Sequence, residues 1–485
     1  MNIFTPAGAK PGDNLPVYVH VLGGKFVDGY AGLFAYTMGS RGIIKDHKAI
    51  IVVMNYRVGA FGWLASPELK AEGSLNAGLL DVVESFKWVR KYIRHFGGNP
   101  KLVTATGFSS GGIIVATLMN AKDGTLDLFD RAFMMSGASI PVFDRPTAEG
   151  NFQSQELYKN AGCEGPNPIA CLRALPAAKL LLASTLTNEN LNTPITTVYG
   201  PVMDDIYLVR QPNESLDQGL FRKIPIMLNT LVDEGTFFVE YRKVTTRTRA
   251  DQFYDRIFGF LDQAEMAELK TLYPPMKSPR PFYNVSNTIG DFFFQCPARK
   301  MAKTYSSHGI PVVKSLVTHQ LGISLISIFR SLGFPNLGVA HGSDIPFWWH
   351  LDFLLGPWGQ ERALSRVMVQ AMMDFGSCPD PSNCQISGIL GSVEWPKYQP
   401  KKGARINLRI PVDEMVYDRD DQHDKQCEFF ERVIAAKGRN IQGQYPPTPA
   451  NIFKRSLPAA NQSPPKDFFQ SLIDYSLLKN LVDVN

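Results

Sequence analysis

The pentapeptide Gly107-Phe108-Ser109-Ser110-Gly111 has the make-up of a nucleophile carried on a tight turn. A serine hydroxyl attacks a carbonyl only when a neighbouring base removes its proton, so it must stand clear of the chain and beside a histidine. Glycines two before and two after let a strand bend sharply into a helix. Ser109 is then left at the tip in a strained conformation, with the N–H of Ser110 turned to the same space. Glycine and serine are common, and the pentapeptide alone is not specific. Two downstream segments supply partners. Asn229-Thr-Leu-Val-Asp-Glu234-Gly235 follows an apolar run and brings acids to the C-terminal end of a strand, and Leu337-Gly-Val-Ala-His341-Gly342-Ser-Asp344 carries a histidine in a glycine-flanked loop. Serine, acid, histidine in that order suits acyl transfer at the edge of an α/β sheet. Asp233 and Glu234 are adjacent and equally acidic, so residue chemistry leaves the choice between them open. Upstream, Gly23-Gly24 could be an ordinary turn; with a serine elbow following, its N–H groups read better as donors to a developing oxyanion. Asp344 reads as a holder of loop backbone. His20, His47, His95, His308, His319, His350 and His423 show no metal-ligand spacing, and we expect no metal. The chemistry also calls for no cofactor.

These side chains need a frame. Val17–Leu22 predicts a strand that empties into Gly23-Gly24, and Ala49–Asn55 a fully buried one. Between Gly78 and Phe96, Leu79, Val83, Phe86, Val89 and Ile93 recur at helical spacing among charged residues, and Gly97-Gly98 ends the run. Leu102–Thr106 predicts the strand before the elbow and Gly111–Met119 a short buried helix after it. Further strands are expected at Arg131–Ser136, Ile224–Asn229 and Pro311–Thr318. Such alternation predicts an α/β fold: a mostly parallel central sheet flanked by helices, with large helical insertions.

The chain of 485 residues fits one elaborated α/β unit. A formal charge of +5 with scattered basic residues gives no nucleic-acid stripe. No apolar run is long enough to span a bilayer. Six cysteines and the acceptor tripeptides at Asn213, Asn284 and Asn461 point to an oxidising, glycosylating route, although Met1-Asn-Ile-Phe-Thr-Pro contains no signal peptide. Phe347, Trp348 and Trp349, with Trp358 beyond, suit either a substrate gorge or core packing.

The chain resembles the carboxylesterase type B, or cholinesterase and lipase, family of α/β-hydrolases, in a form reminiscent of its fungal members. The likeness runs over nearly the whole length, through Asn55-Tyr-Arg-Val-Gly59, Asn76-Ala-Gly-Leu-Leu-Asp81, Phe96-Gly-Gly-Asn-Pro100, Arg131-Ala-Phe-Met-Met-Ser136-Gly137, Asp233-Glu-Gly235 and Ala340-His-Gly-Ser-Asp344. It implies an ester hydrolase acting on small molecules, with Ser109 as nucleophile, Glu234 as acid and His341 as base. It also implies Gly24, Lys25 and Ser110 as oxyanion donors, and Ser136 as a buried support of the triad's hydrogen bonds. Two of the family's bridges match Cys163 to Cys171 and Cys296 to Cys427, leaving Cys378 and Cys384 as the third pair.

Three departures stand out. Where the family's oxyanion loop reads His-Gly-Gly-Gly-Phe, this chain has Leu22-Gly23-Gly24-Lys25-Phe26. Phe108 stands where a glutamate is common, and Ser110 where alanine is usual. The family's section before Met1, with early strands and a cysteine pair, is missing, so we read residues 1–485 as one N-terminally incomplete hydrolase domain. Secretion would then depend on a signal in that section. The alternatives are a catalytically silent binding relative, or an esterase-like enzyme turned to biosynthetic cyclisation or elimination through Lys25.

Overall fold

The computed structural model describes residues 1–32, 34–140, 152–191, 198–239, 244–274, 281–322, 337–352, 354–355, 359–378, 395–399, 401 and 403–437. Trp358, Cys384 and Asn461 lie outside them.

Nine strands form one sheet: β1 (Asn2–Phe4), β2 (Leu15–Val21), β3 (Ile50–Val53), β4 (Gly98–Phe108), β5 (Arg131–Met135), β6 (Ile226–Leu231), β7 (Val312–Val317), β8 (Ala404–Leu408) and β9 (Tyr417–Arg419). Their spatial order is β1-β3-β2-β4-β5-β6-β7-β8-β9. Every pairing from β3 to β8 is parallel, and the outermost pairs, β1 with β3 and β8 with β9, are antiparallel. Helices cover both faces of such a sheet, so its strands are apolar on both sides. All of Ile50–Val53, Arg131–Met135 and Ile226–Leu231 are buried accordingly.

Each strand expected from sequence is present, with its ends moved by a residue or a few. The expected helix after Gly78 runs Ala77–Tyr92, tightens into a 3₁₀ turn over Ile93–Phe96, and stops at Gly97 with φ +89°. Its five apolar positions are fully buried. No helix among the described residues is long and apolar enough to cross a membrane.

The β8 end of the sheet is locked by charge. Lys314 on β7 and Arg405 on β8 both reach Asp420 Oδ1, at 2.5 and 3.1 Å, and the Tyr398 hydroxyl donates to its Oδ2 at 3.1 Å. All four residues are buried. Burial pushes the Lys314 ammonium down to about 8, against the pull of Asp420. Disulfides join Cys163 to Cys171 and Cys296 to Cys427, with Cα separations of 5.6 and 5.0 Å.

Candidate active site

β4 carries the chain straight into the elbow. Ser109 has φ +55° and ψ −124°, a conformation L-residues rarely adopt, and the helix Ser110–Asn120 begins at the next residue. The flanking glycines are required by contact: a Cβ on Gly107 would lie 2.4 Å from the Gly111 carbonyl oxygen, and one on Gly111 would lie 2.1 Å from that of Val21. The Ser109 N–H donates to Met135 O at 2.9 Å, tying the elbow to the end of β5.

Glu234 opens a 3₁₀ turn just after β6. His341 arrives from a loop held against that turn. The Asp233 N–H donates to Val339 O at 3.1 Å, the Val339 N–H donates to Asp233 Oδ2 at 2.8 Å, and the Thr236 hydroxyl donates to Leu337 O at 2.7 Å. The two neighbouring acids therefore separate by role. Asp233 holds loop backbone, whereas Glu234 Oε2 lies 2.6 Å from His341 Nδ1. On the other side of the ring, His341 Nε2 is 2.9 Å from Ser109 Oγ. Glu234 Oε1 accepts the Leu231 N–H at 3.0 Å, so both carboxylate oxygens are engaged. Glu234 is fully buried, and His341 and Ser109 retain 5% and 9% of their surface.

The glycine loop lies against the nucleophile: a Cβ on Gly23 would sit 3.1 Å from Ser109 Cβ. Gly24 has φ +125°, with the Asp28 carbonyl oxygen only 2.2 Å from where its Cβ would be; Lys25 and Phe26 follow at φ +53° and +62°. The N–H groups of Val27 and Asp28 both donate to Gly24 O at 3.0 Å, closing the turn. Gly24 N–H donates to no group among the described residues. Ser110 is the first residue of its helix, where N–H groups have no intrahelical acceptor.

Several residues depart from the sequence reading or decide what it left open. Asp344 holds side chains rather than loop backbone. Its Oδ2 accepts from Asn229 Nδ2 at 2.7 Å and Trp348 Nε1 at 3.0 Å, and the Ser315 hydroxyl donates to Asn229 Oδ1 at 2.8 Å. Burial, reinforced by the Glu234 charge, pushes the Asp344 carboxyl up to about 7. Ser136 is buried with φ +47°, but its hydroxyl is bonded to none of the described residues. Phe347, Trp348 and Trp349 are core: Trp348 packs on Phe133, and Trp349 on His20 and Tyr36. Asn213 and Asn284 are buried at 8% exposure each, contrary to the exposed position a glycan needs, and Asn284 Nδ2 already donates to Tyr273 O and Pro274 O.

Sequence reasoning missed the aromatic wall around the imidazole. Phe108, Phe238 and Phe294 have ring centroids 4.9, 4.9 and 4.8 Å from that of His341, and Phe237 is 6.0 Å away. Phe294 is presented by a π-helical turn, Asp291–Gln295, whose Gln295 donates to Leu231 O at 2.7 Å and accepts from the Thr230 hydroxyl at 2.9 Å. A π turn at a functional site is a recurrent pattern, but phenylalanines in an apolar-rich chain give no signal of it. Among the described residues no group of His, Cys, Asp or Glu is arranged to hold a metal ion.

Residues 1–430 match the model of the Carboxylesterase family. The chain is 31% identical over 430 residues to Lipase 4 of Diutina rugosa, covering 84% of this chain and 73% of that protein. It is 31% identical over 429 residues to Secreted lipase 1 of Botryotinia fuckeliana (strain B05.10), covering 84% and 71%. Among solved structures, Aspergillus niger EstA superposes with a TM-score of 0.74 at 22% identity, covering 89% of this chain and 83% of that one. A PNB esterase does so at 0.71 and 26%, covering 88% and 84%.

Proposed function

Because the chain belongs to the carboxylesterase family, and is thus a serine ester hydrolase of the α/β-hydrolase fold, we propose that it cleaves small-molecule carboxylic esters through an acyl-enzyme on Ser109. The observation that carries this reading is the unbroken relay from Ser109 Oγ to His341 Nε2 at 2.9 Å and from His341 Nδ1 to Glu234 at 2.6 Å. His341 takes the Ser109 proton as Oγ attacks the ester carbonyl, then returns it to the departing alkoxide. Water, deprotonated by the same nitrogen, attacks the acyl-enzyme and frees the acid. Glu234 keeps the Nδ1 proton in place and stabilises the imidazolium formed in each step. The N–H groups of Gly24, Lys25 and Ser110 receive the negative charge that develops on the carbonyl oxygen.

The disulfides Cys163–Cys171 and Cys296–Cys427 favour a route through an oxidising compartment, as does likeness to a protein named a secreted lipase.

Labelling with a fluorophosphonate is the direct test. One phosphonyl group on Ser109 is expected, and none on Ser109→Ala. Ser109→Ala and His341→Ala should each lower kcat by roughly 10⁴-fold, with the double variant scarcely worse, as residues acting as a unit behave. Near-normal turnover by Ser109→Ala would overturn the assignment.

A further inference from the structure

We infer that Asp291, which lies outside the triad, is a positioning residue for its acid and base, because its carboxylate pins the joint from which one short segment supports both Glu234 and His341. This inference rests on the ester-hydrolase reading and adds to it a remote determinant of the rate.

The joint lies where the helix Phe282–Gly290 passes into the π turn Asp291–Gln295. The Asp291 N–H still bonds back into the helix, to Asn287 O and Thr288 O. Its carbonyl accepts the Cys296 N–H five residues on, the bond that makes the turn a π turn. Supports of the triad are strung on either side of this residue. One position before it, Gly290 lies against the turn that carries the acid: a Cβ there would sit 3.7 Å from Glu234 Cβ and 3.3 Å from Gly235 N. Three positions after it, the Phe294 ring packs on the His341 imidazole with centroids 4.8 Å apart. Four positions after it, Gln295 donates to Leu231 O, and the N–H of Leu231 is the donor to Glu234 Oε1. A rotation of the joint therefore moves the backing of the acid and the wall of the base together.

The carboxylate of Asp291 sets that rotation. Its side chain is 4% exposed; Oδ2 accepts the Tyr273 hydroxyl at 2.6 Å, and Oδ1 and Oδ2 lie 2.9 and 3.0 Å from His423 Nδ1. Burial, with the Asp291 charge beside it, pushes the Tyr273 hydroxyl well up, so that it stays a donor. Tyr273 ends the helix Gln263–Leu272 and His423 precedes the helix Asp424–Lys437, so two separate elements hold one carboxylate. The second of these also holds the far end of the turn, through the disulfide from Cys427 to Cys296, and the Cys427 N–H donates to His423 O at 2.9 Å. Removing the carboxylate leaves a buried tyrosine hydroxyl without its acceptor and frees the near end of the turn. Groups that act as a relay lose rate steeply when their supports shift by even 1 Å.

The test reads kcat and KM on 4-nitrophenyl acetate per site counted by fluorophosphonate titration carried to completion. Asp291→Ala should lower kcat per site about 10²-fold, with KM within about threefold of the parent. Asp291→Asn should recover most of that loss. Its amide oxygen still accepts from Tyr273, and its NH₂ can donate to His423 Nδ1 in the other tautomer. A merely structural role would lower the number of titrated sites and the denaturation midpoint while leaving kcat per site at the parent value, and that result would overturn the inference. Tyr273→Phe and His423→Ala each remove one bond and read the same quantity if Asp291→Ala does not fold; each should lower kcat per site about three- to tenfold, and parent values in both would overturn the inference. A parent that takes up no fluorophosphonate and leaves the ester intact would overturn the ester-hydrolase reading as well, whereas an active parent with unmoved variants overturns the positioning role alone.

Discussion

Glu234→Gln changes one atom of the relay and keeps its shape. In the parent, Oε1 accepts the buried Leu231 N–H at 3.0 Å and Oε2 faces His341 Nδ1 at 2.6 Å. An amide can satisfy Leu231 only with its oxygen, which turns the NH₂ group toward Nδ1. The imidazole must then accept at Nδ1 and carry its proton on Nε2, where it points at Ser109 Oγ and cannot act as a base. Flipping the amide restores the tautomer but sets NH₂ against N–H, at about 1–3 kcal/mol for an unsatisfied buried donor. That alone leaves between about 0.6% and about 16% of molecules competent. Loss of the charge beside the developing imidazolium removes a strong charge-assisted bond as well. Together these give a fall in kcat of about 10³- to 10⁴-fold, or about 4–5.5 kcal/mol of transition-state stabilisation, with little change in KM. Steady-state kinetics on 4-nitrophenyl acetate, normalised to sites counted by fluorophosphonate, measure it. Asp233→Asn is the control: its oxygen can still accept the Val339 N–H, and kcat should stay within about tenfold. If Glu234→Gln remains within tenfold of the parent, or Asp233→Asn is the more damaging, the assignment of the acid is refuted.

Three further outcomes follow from groups near or behind the site. With its carboxyl raised to about 7 against 3.8 unfolded, Asp344 is protonated in the folded chain between those values, so its contribution to stability is lost as pH rises from 4 to 7. Asp344→Asn keeps an acceptor for Asn229 and Trp348; it should flatten that slope and, at pH 8, exceed the parent by on the order of 3 kcal/mol in chemical denaturation. A slope unchanged by the substitution would refute the buried proton. Asp420→Asn leaves Lys314 and Arg405 buried without their shared anion, and should lower stability by about 3–5 kcal/mol; Lys314→Met, which leaves Asp420 paired with Arg405, should cost less, as denaturation midpoints would show. Gly24→Ala meets the Asp28 carbonyl at 2.2 Å from a position of φ +125°; kcat on a small activated ester should fall at least about 10²-fold, and an unaffected rate would remove Gly24 from the oxyanion hole.

How much of this was legible follows the physics of each signal. The elbow was readable because only glycine tolerates the approaches at 107 and 111, and that demand shows in sequence. β5, β6 and β7 were readable because parallel strands buried on both faces are mostly apolar over their length, even with Arg131, Asn229 and Lys314 among them. β1, β8 and β9 were not. Asn2–Phe4 and Tyr417–Arg419 are too short to show a period, and Ala404–Leu408 contains an arginine whose burial depends on Asp420 and Gln422, partners that its local pattern does not announce. Residue chemistry could not separate Asp233 from Glu234; family likeness favoured Glu234, and the geometry rests on a loop 100 residues downstream folding against one acid's backbone. The aromatic wall depends on a π turn, and on two phenylalanines following Glu234 that look like any core pair.

The backbone at Ser109 carries a thermodynamic consequence. A serine at φ +55° and ψ −124° occupies territory that glycine enters freely and an L-residue enters at a cost of order 1–3 kcal/mol. The elbow therefore sets selection for activity against selection for a tougher molecule at a single position. Ser109→Gly should relieve that strain and offset the added freedom of the unfolded chain, raising Tm while abolishing turnover. Removing the hydroxyl alone, as in Ser109→Ala, leaves the backbone cost in place. Stability selections run on this protein without an activity screen should drift toward glycine at the nucleophile, and a chain recovered that way would be the more durable for having lost its chemistry.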